Sequence, residues 1–342
     1  MRIAVLGDGG WGTTLAVLLN KKGYNVTLWG AFPEYVRILK AKRENKKFLP
    51  GIKLPYTIIL EHDIGTAVRN KDIVVLAVPS QHMREVLKKI PKFTPLGCKP
   101  RQPIGQTRRD GPVYVSAAKG IENKTLLRMS EVIRQELGDV KLAVLSGPTI
   151  SYEVARGIPT TAVVAAKNSG IAKQIQGVFS TEQFRVYAST DVAGVELGGS
   201  LKNIIAIAAG IADGLGFGTN SKAALLTRGL VEITRLGVAM GAKKETFAGL
   251  SGLGDLVTTC INPHGRNRWF GEQVGKGKSP KAVLKETEMV IEGIPTTKSA
   301  YSLAKRYRVE VPITEQVYSV LYKNKSPKAA VRELMLRPRK KE

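Results

Sequence analysis

Three glycines, Gly7, Gly9 and Gly12, directly follow the apolar run Arg2-Ile3-Ala4-Val5-Leu6 and lead into a stretch of helical character, Thr13 to Lys22. A second apolar, β-branched run, Asn25-Val26-Thr27-Leu28-Trp29, closes the unit. The order strand, glycine turn, helix, strand is the setting in which G-x-G-x-x-G works as a dinucleotide-binding fingerprint. Each glycine then has a physical role. Gly7 makes a tight turn, Gly9 lets backbone approach a pyrophosphate, and Gly12 lets the helix pack closely on the strand. Free N–H groups and the dipole at the helix start favour the anion. The expected fold class is therefore α/β, with a Rossmann-type N-terminal domain whose ligand lies at the carboxyl ends of the strands.

The end of the second strand is where such a domain chooses its cofactor, an acid there favouring NAD and a base favouring NADP. Here the residues are Gly30-Ala31-Phe32, which leave the choice between NAD and NADP open; Glu34 and Arg37 follow within a helix expected over Pro33 to Lys47. Further strands are expected at Asp72 to Ser80, Val113 to Ser116, Leu142 to Leu145, Thr161 to Ala165 and Phe184 to Tyr187, with a helix over Leu126 to Leu137. The proline- and lysine-rich stretch from Pro91 to Pro112 reads as a basic surface loop. From Asp191 the pattern changes to helical periodicity, over Val192 to Ala212, Ser221 to Met240, Ile294 to Arg306, Ile313 to Tyr322 and Pro327 to Met335. The expected division is a dinucleotide-binding domain over 1–188, an all-α substrate-binding domain over 189–336 and a basic tail over 337–342, with the ligand in the cleft between the two domains.

With 53 Lys and Arg against 28 Asp and Glu, the chain carries a formal charge of +25. Such a field concentrates phosphorylated substrates and cofactors, and attracts nucleic acid and anionic membranes nonspecifically. No zinc-finger spacing or aromatic-rich basic sheet motif supports specific nucleic-acid binding. The longest apolar run, Ile204 to Ala212, is far short of a membrane span. A strand beginning at residue 2 leaves no room for a signal peptide, and two cysteines, Cys98 and Cys260, read as unpaired thiols, so the expected compartment is the cytoplasm.

Four stretches face chemistry rather than packing. Ser116 to Glu122 places Lys119 directly after a buried strand, and Leu145-Ser146-Gly147-Pro148-Thr149 is a second strand end opening into a helix. Gly198 to Asn203 puts Lys202 among Leu201, Ile204, Ile205 and Ile207, where a lysine must snorkel, pair or work. The fourth stretch runs from Gly252-Leu253-Gly254-Asp255 to Gly265-Arg266-Asn267-Arg268. Taken singly, Lys119 and Arg266 read as solvated charge and Asp255 as a helix N-cap.

Together, these motifs resemble the NAD(P)-dependent glycerol-3-phosphate dehydrogenases of bacterial type. The likeness runs through Gly7 to Thr13 with its tryptophan, Ala118-Lys119-Gly120, Ser146 to Thr149, Glu196 to Asn203, Gly252 to Asp255, Arg266 to Arg268 and Glu292-Gly293. It implies a Rossmann-type domain followed by a helical one, assembled as a homodimer, that reduces dihydroxyacetone phosphate to sn-glycerol 3-phosphate for phospholipid synthesis. It also implies Lys202 as general acid/base, Lys119 as a substrate-binding lysine, and Asp255 as the group that orients Lys202. The acid/base role requires the Lys202 pKa to be lowered by burial and a neighbouring cation.

Arg266 and Asn267 would take the phosphate and its surroundings, since a guanidinium can give a phosphate two charge-assisted hydrogen bonds. Gly147, Thr149 and Gly265 match substrate contacts, although Gly265 stands where the family often has a serine. Gly10, Trp11, Lys119, Ser151, Arg266, Val290 and Glu292 match cofactor positions, and no metal is required because lysines polarise the carbonyl. The family's frequent arginine or histidine after the second strand is missing at Ala31-Phe32, and Lys99 to Asp110 looks like a basic insertion. Two other readings remain: a related two-domain β-hydroxyacid reductase, which need not bind phosphate, and, more distantly, a nucleic-acid-binding Rossmann protein.

Overall fold

A computed structural model describes residues 1–90 and 111–339. The loop expected over Pro91 to Pro112 thus lies almost wholly outside the described residues, as do Cys98, the basic stretch Lys99 to Asp110 and the last three residues of the tail. Eight strands form one sheet: β1 (Arg2–Leu6), β2 (Asn25–Trp29), β3 (Ile59–Glu61), β4 (Ile73–Leu76), β5 (Val113–Ser116), β6 (Leu142–Ser146), β7 (Thr160–Ala165) and β8 (Phe184–Ser189). Their order is β3-β2-β1-β4-β5-β6-β7-β8. Neighbours run parallel except β6 and β7. β1 is the switch point, with Leu6 opposite Trp29 on one side and Leu76 on the other.

The central strands are apolar on both faces because both faces are covered. Ile3 and Val5 point into one core with Leu15, Leu19, Leu28 and Val75, while Ala4 and Leu6 point into the other with Val74, Leu76, Met83 and Ile133. Helices α1 (Gly10–Lys21), α2 (Pro33–Lys42), α3 (Ile64–Val68), α4 (Met83–Lys88), α5 (Met129–Leu137), α6 (Ser151–Ala155) and α7 (Ser169–Phe179) belong to this sheet half. α2 ends at Lys42 rather than at Lys47, because Arg43 takes a left-handed φ of 47° and turns the chain. α5 begins at Met129 rather than at Leu126, whose φ of 63° is not helical. The strand expected over Asp72 to Ser80 is confined to β4, and Ser80–His82 already forms a tight helical turn.

Beyond β8 every element is helical: α8 (Val192–Gly214), α9 (Thr219–Ala239), α10 (Lys244–Phe247), a π-type turn over Leu250–Gly254, α11 (Asp255–Ile261), α12 (Arg266–Gly275), α13 (Pro280–Lys285), α14 (Gly293–Tyr307), α15 (Pro312–Tyr322) and α16 (Pro327–Met335). α8 is the axis of this half. Its 23 residues are long and apolar enough to cross a membrane, with a mean hydropathy of 1.3, yet 94% of that window is buried inside the protein. Leu201, Ile204, Ile205 and Ile207 pack there with Phe247, Leu256 and Phe270. Each large apolar side chain buried in this way stabilises the fold by about 1.5–3 kcal/mol.

Two contacts fix α8. At its start, buried Glu196 accepts hydrogen bonds from Ser130 N (2.7 Å), Ser130 Oγ (2.6 Å) and Arg128 Nη1 (2.7 Å), which ties the helix to α5 of the sheet half. At its other end glycines let α12 approach backbone to backbone: a Cβ on Gly210 would stand 1.9 Å from the Arg268 carbonyl oxygen, and one on Gly271 would stand 2.1 Å from that of Ile207. This seam delivers the first residues of α12 beside the middle of α8. Cys260 in α11 is an unpaired thiol whose burial pushes its pKa up to about 12.

Candidate active site

The carboxyl edge of the parallel strands gathers the expected residues. Gly7 follows β1 with a φ of +116°, and a Cβ there would stand 2.7 Å from the Ala77 carbonyl oxygen, so only glycine fits. A Cβ on Gly12 would meet the Gly7 carbonyl oxygen at 1.9 Å, the close packing expected of it. Gly9, in contrast, faces open space. Gly10 and Trp11 open α1, and Ser151 lies beside Gly10 at the start of α6, its carbonyl accepting a 3.0 Å hydrogen bond from Thr14 Oγ1.

Among the described residues four buried side-chain atoms lack a hydrogen-bond partner: Asp8 Oδ2, Trp11 Nε1, Ser116 Oγ and Ser146 Oγ. They stand just after β1, in the first turn of α1, and at the last residues of β5 and β6. All four belong to the one sheet edge where α/β folds hold nucleotides. Buried polar atoms are ordinarily paired, so an edge lined with unpaired ones beside an open glycine turn fits a polar ligand such as a dinucleotide. The free N–H groups at the start of α1 would hold its pyrophosphate, and the unpaired polar atoms would meet its neighbouring groups.

Lys119 follows β5 and reaches the end of β6, donating to the Gly147 carbonyl oxygen at 2.9 Å and to Asp255 Oδ2 at 2.6 Å. Gly147 has a φ of +134°, and its carbonyl also accepts from Thr149 Oγ1 at 3.2 Å. Lys202 arrives from α8, its Nζ 2.5 Å from Asp255 Oδ1 and hydrogen-bonded to Thr259 Oγ1. Asp255 is the first residue of α11, and its carboxylate does not cap the helix; it is spent on the two lysines. Lys202 and Asp255 are 5% and 1% exposed, so the pair is dry and its electrostatics are strong. Burial pushes the Lys202 ammonium down to about 8; Asp255 opposes that shift and the charge of Lys119 assists it.

α12 brings Arg266 and Asn267. Asn267 Nδ2 donates to Asn203 Oδ1 at 3.0 Å, next to Lys202, and its Oδ1 accepts from Gly293 N at 2.9 Å. Its amide thus joins α8, α12 and α14 and sets their spacing, a positioning role in addition to the substrate contact expected of it. Arg266 is exposed, with Nη1 donating to the Val290 carbonyl at 3.0 Å. Glu292 accepts from Ser80 N at 2.9 Å and Ser80 Oγ at 2.6 Å, closing α14 over the turn that follows β4. Gly265 is the N-cap residue of α12 and, having no side chain, leaves that helix start without a side-chain cap.

The structure therefore joins Lys119, Gly147, Thr149, Lys202 and Asp255 directly, and links Arg266, Asn267, Val290 and Glu292 to them through α12 and α14. The sequence alone does not single out Thr259, Ser80 or Gly199. Thr259 lies one helical turn after Asp255, a spacing that puts both on one face. Gly199 leaves the space that the Ser146 hydroxyl occupies, since a Cβ there would stand 2.4 Å from Ser146 Oγ. A groove of about 430 Å³ bordered by Tyr187, Thr246 and Leu250 contains none of these residues.

A glycine turn on a doubly wound sheet, with a buried lysine from the helical half and a partly buried one from the sheet half sharing one carboxylate, defines a dinucleotide-dependent dehydrogenase with two structural halves. Comparison with known proteins narrows the class. The N-terminal and C-terminal regions of NAD-dependent glycerol-3-phosphate dehydrogenase match residues 2–172 and 191–332, and the chain belongs to this family. It is 50% identical to glycerol-3-phosphate dehydrogenase [NAD(P)+] of Citrifermentans bemidjiense, over 100% of this chain and 98% of that one. It is 48% identical to the enzyme of that name from Fusobacterium nucleatum, with the same shares covered. A crystal structure of glycerol-3-phosphate dehydrogenase from Coxiella burnetii superposes with a TM-score of 0.90 at 38% identity, covering 98% of this chain and 99% of that one.

Proposed function

We propose that this chain reversibly reduces dihydroxyacetone phosphate to sn-glycerol 3-phosphate with NAD(P)H, using Lys202 as general acid/base. The observation that carries the reading is the cluster of buried Lys202 and Asp255 with partly buried Lys119 at the sheet edge, with an exposed arginine on the adjoining helix. The nicotinamide cofactor, when bound, supplies and accepts the hydride. Lys202 gives its Nζ proton to the carbonyl oxygen in reduction and takes the hydroxyl proton in oxidation. Asp255 holds both lysines in place, and Lys119 adds a second positive charge toward the developing oxyanion. Arg266 takes the phosphate as a planar two-pronged donor.

Three coarser features belong to the same proposal. The dinucleotide-binding domain spans 1–188 and the substrate-binding domain 189–336, supported by the change from strands to helices between Ser189 and Val192. The active form is a homodimer, by likeness to the family, which sedimentation at micromolar concentration tests. The enzyme works in the cytoplasm and feeds phospholipid synthesis.

The deciding assay follows absorbance at 340 nm while the purified protein oxidises NADH or NADPH with dihydroxyacetone phosphate. Substrate-dependent oxidation is expected. Folded protein that turns over neither cofactor with this substrate, yet reduces a β-keto acid, would replace the proposal with a hydroxyacid reductase.

A further inference from the structure

The residues after β2, Gly30-Ala31-Phe32, offer neither the acid nor the base that usually reads the adenosine ribose. An acid reaches that position from elsewhere. Asp8 stands inside the glycine turn, its carbonyl oxygen held by Asn45 Nδ2 at 2.7 Å and Thr13 Oγ1 at 3.2 Å. The turn is thereby pinned, and the side chain crosses to the end of β2. A Cβ on Gly30 would stand 2.2 Å from Asp8 Oδ2 and 2.8 Å from its Cγ, so the carboxylate fills the space that any side chain at position 30 would need.

Asp8 Oδ2 is buried with no hydrogen-bond partner among the described residues, although the residue as a whole is only half-buried. Burial holds its carboxyl above the ordinary range, as expected of an acid with no compensating donor. Arg43, which ends α2, is spent on the carbonyls of Ile58 (2.9 Å) and Tyr56 (3.3 Å). Phe32, 67% exposed at the same strand end, offers an apolar surface to a purine.

We propose that Asp8 selects the cofactor: its carboxylate accepts a hydrogen bond from the ribose 2′-hydroxyl and repels a 2′-phosphate, so the enzyme prefers NADH to NADPH. The acid that related folds place on β2 is supplied here by the glycine turn, with Gly30 as the vacancy that admits it. This inference rests on the reading of the chain as a dinucleotide-dependent dehydrogenase. A missing donor at Oδ2 is what the 2′-hydroxyl would supply, and a like charge at that point is the repulsive element that specificity requires.

The test is equilibrium titration of the wild type, Asp8→Asn and Asp8→Ala with NADH and with NADPH, without substrate, read by cofactor fluorescence. Melting curves of each protein confirm folding. Tighter binding of NADH by the wild type is expected, with the NADH to NADPH affinity ratio falling by about 10–100-fold in both variants, as loss of a hydrogen bond to a charged group allows. Equal wild-type affinities, or a ratio that survives in both variants, would overturn the assignment. Binding is read apart from turnover, so failure of the dehydrogenase reading shows separately, as absence of oxidation by dihydroxyacetone phosphate with either cofactor.

Discussion

Lys119 and Lys202 place their ammonium groups on the two oxygens of one carboxylate, at 2.6 Å and 2.5 Å from Asp255 Oδ2 and Oδ1. One lysine follows a strand of the sheet half and the other sits in the central helix of the helical half. The cluster carries one positive charge in excess in a place that burial keeps dry. Burial lowers the cost of giving up the Lys202 proton, the charge of Lys119 assists against Asp255, and the excess charge favours an oxyanion beside the cluster.

The pH dependence follows from the Lys202 pKa near 8. Reduction needs the ammonium, so kcat/KM for dihydroxyacetone phosphate should be level below about pH 8 and fall above it. Oxidation needs the free amine, so kcat/KM for sn-glycerol 3-phosphate should rise through the same pH and then level off. Initial rates in both directions between pH 6 and 10 check this. Parallel profiles in the two directions would remove Lys202 from the proton transfer.

Asp255→Asn removes the anion that both lysines share. The two ammonium groups then face each other uncompensated, and the pKa of Lys202 should move further below 8. Reduction at neutral pH should slow by about 10²-fold or more, and the rising limb of oxidation should shift to lower pH. A slower enzyme with an unmoved limb would make Asp255 a folding residue only.

Arg266→Ala should weaken use of dihydroxyacetone phosphate by about 1.5–3 kcal/mol in kcat/KM, the worth of a hydrogen bond to a charged group. With unphosphorylated dihydroxyacetone, wild type and variant should be equally poor. If the variant loses the same factor on both substrates, Arg266 does not read the phosphate.

Parts of this arrangement are legible in the sequence. β1 and β2 fall on the expected residues because strands buried on both faces read as unbroken β-branched runs, and the glycine turn announces itself between them. β3 has three residues and α10 has four, too short for a period to show. The chemistry-bearing part of the helical half is harder. α11 and α12 are short and glycine-flanked, and Asp255, Arg266 and Asn267 stand out only through family resemblance. The convergence of Lys119 with Lys202, and the crossing of Asp8 to Gly30, are tertiary facts that no local pattern encodes.

The α8–α12 seam makes a separate prediction about stability. Gly271→Val would drive a Cβ toward the Ile207 carbonyl oxygen, to which it would stand at 2.1 Å, so the helices must part. The cost should be about 1–3 kcal/mol, as for other overpacked sites, visible as a fall of several degrees in Tm by calorimetry. Because α12 carries Arg266, the KM for dihydroxyacetone phosphate should rise as well. An unchanged Tm would show that the seam yields without strain.

The most direct test of the account is the turnover of Lys202→Ala. Asp255 keeps Lys119 as a partner in this variant, so the carboxylate is not left unpaired. The kcat for reduction of dihydroxyacetone phosphate should fall by about 10²–10⁴-fold while NADH affinity, read by fluorescence titration, stays within a factor of a few. Turnover close to that of the wild type would contradict it, and would move the proton transfer to Lys119.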